Sequence, residues 1–189
     1  GEDIAQLLAL LGIQPIWDTT TNKLIDLEVI PTTILGRPRV DVTLRISGLF
    51  RDAFPNLIEL VNKAQSMIRN LEEPIELNPY AQSSKNGHSI GRVYGSAPES
   101  YGTGLQELIN LGIWEDDKDL SSCFIKSSRW LYTNSNEPVE DNSGLIETLK
   151  RIEVVMHNQD NREHDLLDSD DYYQFHGGLS IAISQLSGK

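Results

Sequence analysis

The stretch that decides the fold is Val40-Asp41-Val42-Thr43-Leu44-Arg45-Ile46, followed at once by Ser47-Gly48-Leu49-Phe50-Arg51-Asp52. The first seven residues alternate between apolar and polar side chains and are rich in β-branched residues, which is typical of a strand. The next six contain a glycine and end in a charged pair, so they predict a loop. Residues 54–70 then place apolar side chains on one helical face, with Pro55 suited to the first turn. A strand, a loop and a long helix in this order favour an α/β unit.

Short apolar runs and helical repeats continue on both sides of this unit. Upstream, the sequence predicts a helix over 4–11 and strands over 13–17 and 27–30. Downstream, it predicts an irregular loop, a strand and a series of helices, at 75–88, 92–95, 105–111, 119–130, 145–155 and 172–186. We therefore predict an α/β fold with a largely parallel sheet flanked by helices.

The expected organisation is a piece of a larger multidomain protein. A polar, Asn-rich stretch over 133–143 predicts a linker between an α/β domain over 1–132 and a C-terminal helical segment over 144–189. We expect this last segment, which contains an acidic loop, to pack on the same domain. The chain opens on Gly1-Glu2-Asp3 without a Met, which indicates that it is cut from a longer protein.

Composition excludes several classes of protein. The chain has 189 residues and a hydrophobic content of 39%, which suit a folded domain rather than a disordered segment. A formal net charge of -12 argues against nucleic acid and anionic membranes as partners, because both select clustered Lys and Arg. No apolar stretch approaches the ~20 residues that cross a bilayer, so no membrane insertion is expected. The single cysteine, Cys123, excludes an internal disulfide and favours a cytoplasmic location.

Two loops are candidates for anion binding because each follows a predicted strand. In the first, at 45–52, Arg45 and Arg51 have the forked donors that bind carboxylates or phosphates; alternatively, Arg51 and Asp52 only pair at the entry to a helix. The second, at 95–104, leads from a strand through glycines to a helix, which is the layout of an anion site, and Ser96 and Tyr101 are its candidate contacts. It lacks the Gly-Lys-Ser/Thr ending of a P-loop, and the alternative is a loop that merely caps the helix.

A third candidate is the acidic segment at 160–171. Its carboxylates and imidazole have the chemistry to hold a divalent cation or to move protons. Neither the calcium-loop pattern nor the His-Glu-x-x-His motif of zinc proteases is present in the sequence. The competing interpretation is a solvated acidic loop whose Asp168, Ser169 or Asp170 caps the final helix.

Taken together, these motifs resemble the C-terminal part of the large, tetrapyrrole-binding subunit of ATP-dependent cobaltochelatases and magnesium chelatases. The resemblance covers nearly the whole chain and depends on LGIQPIWD at 11–18, LGRPRVDV at 35–42, RISGLFRD at 45–52, RVYGSAP at 92–98 with Tyr101-Gly102, and NQDNREHDLLDSDDYYQF at 158–175. The cobalt branch is similar at 50–55, 95–98 and 158–165, where the magnesium branch has other residues. The chain departs from the cobalt pattern over 127–142, where Trp130-Leu131-Tyr132-Thr133-Asn134 replaces a Tyr-Gly-rich turn.

The resemblance implies that the subunits of the enzyme have different functions. The large subunit binds the macrocycle, hydrogenobyrinic acid a,c-diamide in the cobalt branch, and Co²⁺ is the other substrate. Two partner subunits of the AAA+ type hydrolyse ATP with Mg²⁺, so ATP and Mg²⁺ are expected on those subunits and not on this chain. The candidate residues then take three roles: substrate binding by Arg45, Arg51, Ser96 and Tyr101, catalysis by His164, Asp165 and Asp168, and metal binding by Asp160, His164 and Asp165.

Two alternatives to the cobalt interpretation stay open. One is a magnesium chelatase of the H type, which inserts Mg²⁺ into protoporphyrin IX. The other is a non-catalytic domain whose acidic loops dock the AAA+ motor subunits. A His-Gly-x-x-Glu-like motif that the family places in its active cavity is absent from this sequence, so the chain alone is not expected to insert metal.

Overall fold

The computed structural model describes residues 2–83, 91–135, 137–157, 169 and 171–188. The chain divides into two compact units. The first unit contains Gly1–Leu44 and Phe54–Val93, and the second contains Arg45–Ala53 and Tyr94–Lys189.

The elements follow one another in a mixed order of helices and strands. The helices are α1 Glu2–Leu11, α2 Thr32–Leu35, α3 Gly48–Ala53, α4 Pro55–Arg69, α5 Tyr80–Ser83, α6 Leu105–Leu111, α7 Asp117–Ser128, α8 Asn142–Leu149 and α9 Gly178–Ser187, with a π-helical turn at Tyr172–Gly177 directly before α9. The strands are β1 Ile13–Trp17, β2 Leu24–Val29, β3 Leu44–Ile46, β4 Val93–Gly95, β5 Trp130–Leu131 and β6 Val139–Glu140.

The first unit is built on α1, α4 and the antiparallel hairpin β1–β2. Each of these two helices buries one apolar face, namely Ile4, Leu7, Leu8 and Leu11 in α1 and Ile58, Val61, Ala64 and Ile68 in α4. Gly12 follows α1 with φ of 74°, a left-handed conformation that glycine adopts without steric cost. This turn leads directly into β1, whose register pairs Ile13 with Val29.

Arg39 joins the loops of the first unit. Its buried guanidinium donates to the carbonyl oxygens of Leu11 at 3.0 Å, Gly12 at 3.1 Å and Ile30 at 2.9 Å. It also pairs with Glu73 at 2.8 Å, and this hydrogen bond lowers the pKa of the Glu73 carboxyl. Arg39 is therefore a buried cation whose charge and donors are matched by protein groups, which is the condition for burying a charge without a large loss of stability.

The second unit combines a short sheet with a helical core. Its four-stranded sheet has the order β3-β4-β5-β6. The helices α7, α8 and α9 pack around apolar side chains that are almost fully buried, namely Tyr94, Leu105, Leu120, Phe124, Leu145, Leu149 and Ala182. Gly178 allows α9 to approach this core, because a Cβ atom there would lie 2.5 Å from side-chain atoms of Leu105 and Phe124.

The predicted α/β class is confirmed, with a correction to the sheet. The pairings β1–β2, β4–β5 and β5–β6 are antiparallel, where a largely parallel sheet is predicted from the sequence. The reason for two of them is connection length. The links from β1 to β2 and from β5 to β6 are too short for the crossover of a dozen or more residues that parallel strands need.

Several boundaries also differ from the sequence predictions. The strand predicted over 40–46 is confined to β3, and most of the loop predicted over 47–52 is the helix α3. The helix predicted over 119–130 ends at Ser128, where the chain enters β5. The predicted linker over 133–143 contains β6 and the start of α8, and the segments on both sides of it belong to the second unit. The domain division at this linker stays a prediction. Among the described helices, none has the length and apolar character to cross a bilayer.

Candidate functional site

Two of the predicted loops meet within the second unit because glycine lets their backbones touch. A Cβ atom at Gly48, the first residue of α3, would lie 2.5 Å from the carbonyl oxygen of Ser100 and 2.9 Å from Cα of Tyr101. At the end of β4, a Cβ atom at Gly95 would lie 2.9 Å from Cγ1 of Ile46. The start of α3 and the loop after β4 are therefore in backbone contact.

Arg51, on α3, fastens this helix to the loop after β4. Its Nε and Nη2 donate to the two carboxylate oxygens of Asp52 at 2.6 and 2.9 Å, and its Nη1 donates to the carbonyl oxygens of Ala97 at 2.7 Å and Ser100 at 3.1 Å. The hydrogen bond with Asp52 raises the pKa of Arg51 above its ordinary value. The donors of the Arg51 guanidinium thus have hydrogen-bond partners within the protein. The guanidinium also lies 5.3 Å from the ring centroid of Tyr101.

Asp52 is held on its other side by Tyr101. The Tyr101 hydroxyl donates to Oδ2 of Asp52 at 2.7 Å. The hydrogen bond from Arg51, followed by that from Tyr101, lowers the pKa of the Asp52 carboxyl to about 2. Tyr101 in turn has a raised pKa because it donates to this carboxylate. Arg51, Asp52 and Tyr101 therefore form a closed network in which each charge has a partner.

Tyr132 links this network to the strand ends. It follows β5, is 8% exposed, and its hydroxyl donates to the carbonyl oxygen of Ser96 at 2.5 Å. Burial raises the pKa of Tyr132, while a hydrogen bond with Arg51 and the nearby charge of Arg45 act in the opposite direction. Ser96 itself is buried, and its hydroxyl oxygen finds no hydrogen-bond partner among the described residues.

Arg45, on β3, has a different environment from Arg51. Its Nε lies 3.3 Å from the hydroxyl oxygen of Ser128, but Nη1 and Nη2 are shielded from solvent and have no hydrogen-bond partner in the described part of the chain. Two aromatic rings lie against the guanidinium, with centroids 4.4 Å away for Phe175 and 5.6 Å away for Phe124. Burial lowers the pKa of Arg45 to about 10, so it is a cation at neutral pH without a matching anion among those residues.

The π-helical turn at Tyr172–Gly177 supplies one wall of the site. It carries Phe175 and the buried Gln174, whose Nε2 donates to Oε1 of Gln106 at 3.2 Å and whose Oε1 accepts from the Thr103 hydroxyl at 3.4 Å. Short π-helical insertions are rare and occur frequently at functional sites. Through Gln174, this turn is connected to the same glycine-containing loop that Arg51 holds at its other end.

A cluster of aromatic rings continues the turn. The rings of Tyr172 and His176 are stacked with centroids 4.8 Å apart, and His157 meets both at steep angles, at 5.8 and 6.1 Å. No sequence pattern groups these two histidines, which are far apart along the chain. Within the described residues, no set of three or more His, Cys, Asp and Glu side chains is placed to hold a metal ion.

The predicted site residues divide into two groups. The first group lies in the second unit, with Arg45 on β3, Arg51 on α3, and Ser96 and Tyr101 in the loop after β4. The predicted catalytic residues His164, Asp165 and Asp168, and the predicted metal ligands Asp160, His164 and Asp165, lie outside the described residues. Their roles stay predictions.

Sequence reasoning assigns no role to three residues of the site, Tyr132, Gln174 and Phe175. Tyr132 follows a strand end, a common position for binding residues, but the two-residue strand β5 begins inside a predicted helix. Gln174 and Phe175 are predicted to lie on an ordinary final helix. Periodicity offers no signal for a π-helical turn, because one such turn changes the spacing by a single residue.

Known proteins share both the sequence and the fold of this chain. The family model described as CobN/Magnesium Chelatase matches residues 1–189. The aerobic cobaltochelatase subunit CobN of Pseudomonas aeruginosa is 41% identical over 204 aligned residues, which cover 100% of this chain and 16% of that protein. The H-type magnesium-chelatase subunit of Chlorobaculum parvum is 28% identical over 100% of this chain and 15% of that protein.

A solved structure has the same fold. The catalytic subunit of cobaltochelatase from Mycobacterium tuberculosis superimposes with a TM-score of 0.94 and is 39% identical, covering 100% of this chain and 17% of that one. The chain therefore spans about a sixth of the length of these relatives.

The contact at Gly48 gives a first prediction. Gly48→Ala should lower the free energy of unfolding by about 1–3 kcal/mol, because its methyl group has no room against the backbone of Ser100. Gly102→Ala, in the loop that Gly48 contacts, is the matched control, since its added carbon makes only an ordinary contact at 3.7 Å with Gln174. The control should change stability by less than about 0.5 kcal/mol in urea unfolding. Equal effects of the two substitutions would contradict the close approach.

The network around Asp52 gives a second prediction, on pH dependence. The pKa of Asp52 in the folded protein, about 2, is below the value of about 4 in an unfolded chain. Its contribution to stability is therefore complete above about pH 4 and is lost as the pH falls through about 2. NMR titration of the Asp52 carboxyl should show this low midpoint. Arg51→Met should raise the midpoint toward about 4, and Tyr101→Phe should raise it less; an unaltered midpoint in Arg51→Met would refute the assignment.

Proposed function

Because the chain belongs to the CobN/magnesium chelatase family, we propose that it is the C-terminal part of the large subunit of an ATP-dependent cobaltochelatase. The full subunit inserts Co²⁺ into hydrogenobyrinic acid a,c-diamide in aerobic cobalamin biosynthesis. The proposal rests above all on the difference in identity, 41% with a cobaltochelatase subunit against 28% with a magnesium-chelatase subunit, each over the whole chain. A magnesium chelatase that acts on protoporphyrin IX is the second candidate, supported by that weaker similarity.

The described residues suit the recognition of an anionic macrocycle. A corrinoid precursor carries carboxylates at its rim, and guanidinium groups bind carboxylates through forked, charge-assisted hydrogen bonds. Arg45 has two terminal nitrogens that no described residue bonds, whereas those of Arg51 are bonded to Asp52, Ala97 and Ser100. We therefore assign direct recognition to Arg45. Ser96 remains a candidate contact, because its hydroxyl has no hydrogen-bond partner in the described part of the chain. Arg51 and Tyr101 hold α3 and the loop after β4 in place.

The metal ion is a second substrate in this proposal. Insertion requires a dehydrated cation and the removal of two pyrrole protons, and carboxylates with an imidazole have the chemistry for both. We assign these tasks to the acidic segment, with Asp160, His164 and Asp165 receiving the ion and His164, Asp165 and Asp168 taking part in proton removal. The sequence spacing and residue types support this assignment.

The remaining components belong to other subunits. AAA+ motor subunits would bind and hydrolyse ATP with Mg²⁺ and drive the large subunit through its cycle in the cytoplasm. This chain supplies part of the macrocycle-binding subunit, and by itself it is expected to be inactive.

Metal and macrocycle specificity tests the proposal directly. The full-length subunit, combined with its motor subunits and ATP, should insert Co²⁺ into hydrogenobyrinic acid a,c-diamide, as followed by the absorption change of the macrocycle. It should not insert Mg²⁺ into protoporphyrin IX under the same conditions. The reverse preference would establish the magnesium candidate instead, and binding of the motor subunits without any macrocycle binding would indicate a docking domain.

The acidic segment gives a separate prediction. In the full-length subunit, His164→Ala combined with Asp165→Ala should lower the rate of cobalt insertion by about a hundredfold or more, since general acid–base groups typically contribute this much. The dissociation constant for the macrocycle should change little. Asp116→Ala is a control acidic substitution in the second unit, at a helix N-cap, and should leave the insertion rate unaltered. An unchanged rate in the double variant would exclude the segment from the chemistry.

A further inference from the structure

The most unusual group among the described residues is the Arg45 guanidinium. A buried cation normally has a carboxylate or several carbonyl oxygens as partners, because losing hydration without compensation is strongly unfavourable. Arg39 shows the normal case, with Glu73 and three carbonyl oxygens around it. Arg45 has the Ser128 hydroxyl at 3.3 Å and two aromatic rings, which compensate only part of the hydration that it loses.

The neighbouring acid does not balance Arg45. Arg45 and Arg51 both interact with Tyr132, so two positive charges lie near one hydroxyl group. The carboxylate of Asp52 is bonded to Arg51 on both of its oxygens and to the Tyr101 hydroxyl. Among the described residues, no carboxylate pairs with Arg45. Arg45, Arg51 and Asp52 together therefore have one positive charge in excess. It lies on Arg45, whose two terminal nitrogens are shielded from solvent.

The two rings against Arg45 differ in exposure. Phe124 belongs to the core and is fully buried, but Phe175, whose ring is the nearer of the two, is partly exposed and is carried by the π-helical turn. The Phe175 ring is therefore the side from which an anion would approach Nη1 and Nη2.

We infer that Arg45 is the recognition site for a single carboxylate, which reaches it when the Phe175 ring moves aside. The inference deepens the proposed function and rests on it for the identity of the anion, a carboxylate at the rim of the tetrapyrrole substrate. One charge-assisted forked contact satisfies both free nitrogens of Arg45 and neutralises the excess charge. Arg51, in contrast, is a positioning residue, because its donors are bonded within the protein.

The test uses the full-length subunit and combines one change in the protein with one change in the ligand. The first change is Arg45→Met, which keeps much of the side-chain length and removes the charge. The second is full methyl esterification of hydrogenobyrinic acid a,c-diamide, which removes the carboxylate charges of the ligand. Dissociation constants are measured by quenching of tryptophan fluorescence for all four combinations. Arg151→Met, which removes an exposed arginine of the same unit, controls for a general loss of positive charge.

Arg45→Met should weaken binding of the free acid by about tenfold to a hundredfold, which corresponds to the loss of a hydrogen-bonded charge. Esterification should cost less affinity in Arg45→Met than in the wild type, because the partner of one carboxylate is already missing. Arg151→Met should bind as the wild type does. Equal losses on esterification in both proteins would show that Arg45 does not contact a carboxylate and would overturn the inference.

Stability provides the readout that separates a binding role from a structural one. Arg45→Met should leave the melting temperature of the ligand-free subunit unchanged or raise it, because it removes an unpaired buried charge. Arg39→Met should lower the melting temperature clearly, because it breaks a satisfied ion pair. A large decrease for Arg45→Met would mean that an acidic group of the protein itself pairs with Arg45, and would overturn the inference.

Two further results keep this inference distinct from the proposed function. Propionate, but not the neutral propionamide, should raise the melting temperature of the wild type and not that of Arg45→Met. If this holds while the subunit binds no corrinoid, the proposed function fails and the carboxylate site stands. If the subunit inserts cobalt while Arg45→Met binds and reacts as the wild type does, the proposed function stands and the inference fails.

Phe175→Ala tests the entry route, because it removes the ring that covers Arg45. This substitution should increase the association rate of the corrinoid, and an unchanged rate would contradict the entry route.

Discussion

The fork of hydrogen bonds from Arg51 is the constraint on which the candidate site depends. One planar guanidinium bonds the Asp52 carboxylate on one side and the carbonyl oxygens of Ala97 and Ser100 on the other. It thereby fixes the loop after β4 against α3, at the point where Gly48 permits contact between the backbones. Lysine would not replace it, because an ammonium group lacks the fixed geometry of the fork. The position of Tyr132, which bonds both Arg51 and Ser96, follows from this arrangement.

Much of this arrangement could be predicted from the sequence, except where a contact depends on residues that are distant along the chain. Alternation over 40–46 and the helical repeat over 54–70 identify β3 and α4, and the strand–loop–helix order identifies the loop after β4. The segment predicted as the first loop is instead the helix α3. Residue type then singles out Arg45 and Arg51 as equivalent donors. Sequence could not show which of the two is already bonded, because the partners Ala97 and Ser100 are 46 and 49 residues away from Arg51. The same holds for Phe175 and for the antiparallel pairings, which depend on contacts and connection lengths rather than on local pattern.

Arg39 and Arg45, two arginines whose terminal nitrogens are shielded from solvent, illustrate the difference between groups that stabilise and groups that bind. Arg39 joins three carbonyl oxygens and Glu73 in the first unit, and its donors are used within the fold. Arg45 is shielded as thoroughly at its terminal nitrogens, yet no described residue bonds them. A stability-optimised chain would place an apolar residue there. Unpaired buried charge is more readily understood as a feature kept for function at the expense of stability.

A single carboxylate contact also suits the geometry of the proposed substrate better than a broad basic surface would. A corrinoid rim carries several acidic groups, so a diffuse positive patch would bind the macrocycle in many rotated orientations of similar energy. A single buried charge binds one carboxylate at one position. Orientations of the macrocycle that leave this charge unpaired are disfavoured, because they retain the full desolvation penalty. Held on β3 between the rings of Phe124 and Phe175, Arg45 would therefore act on orientation more than on affinity. Orientation is what metal insertion requires, since the four ring nitrogens must face the incoming ion.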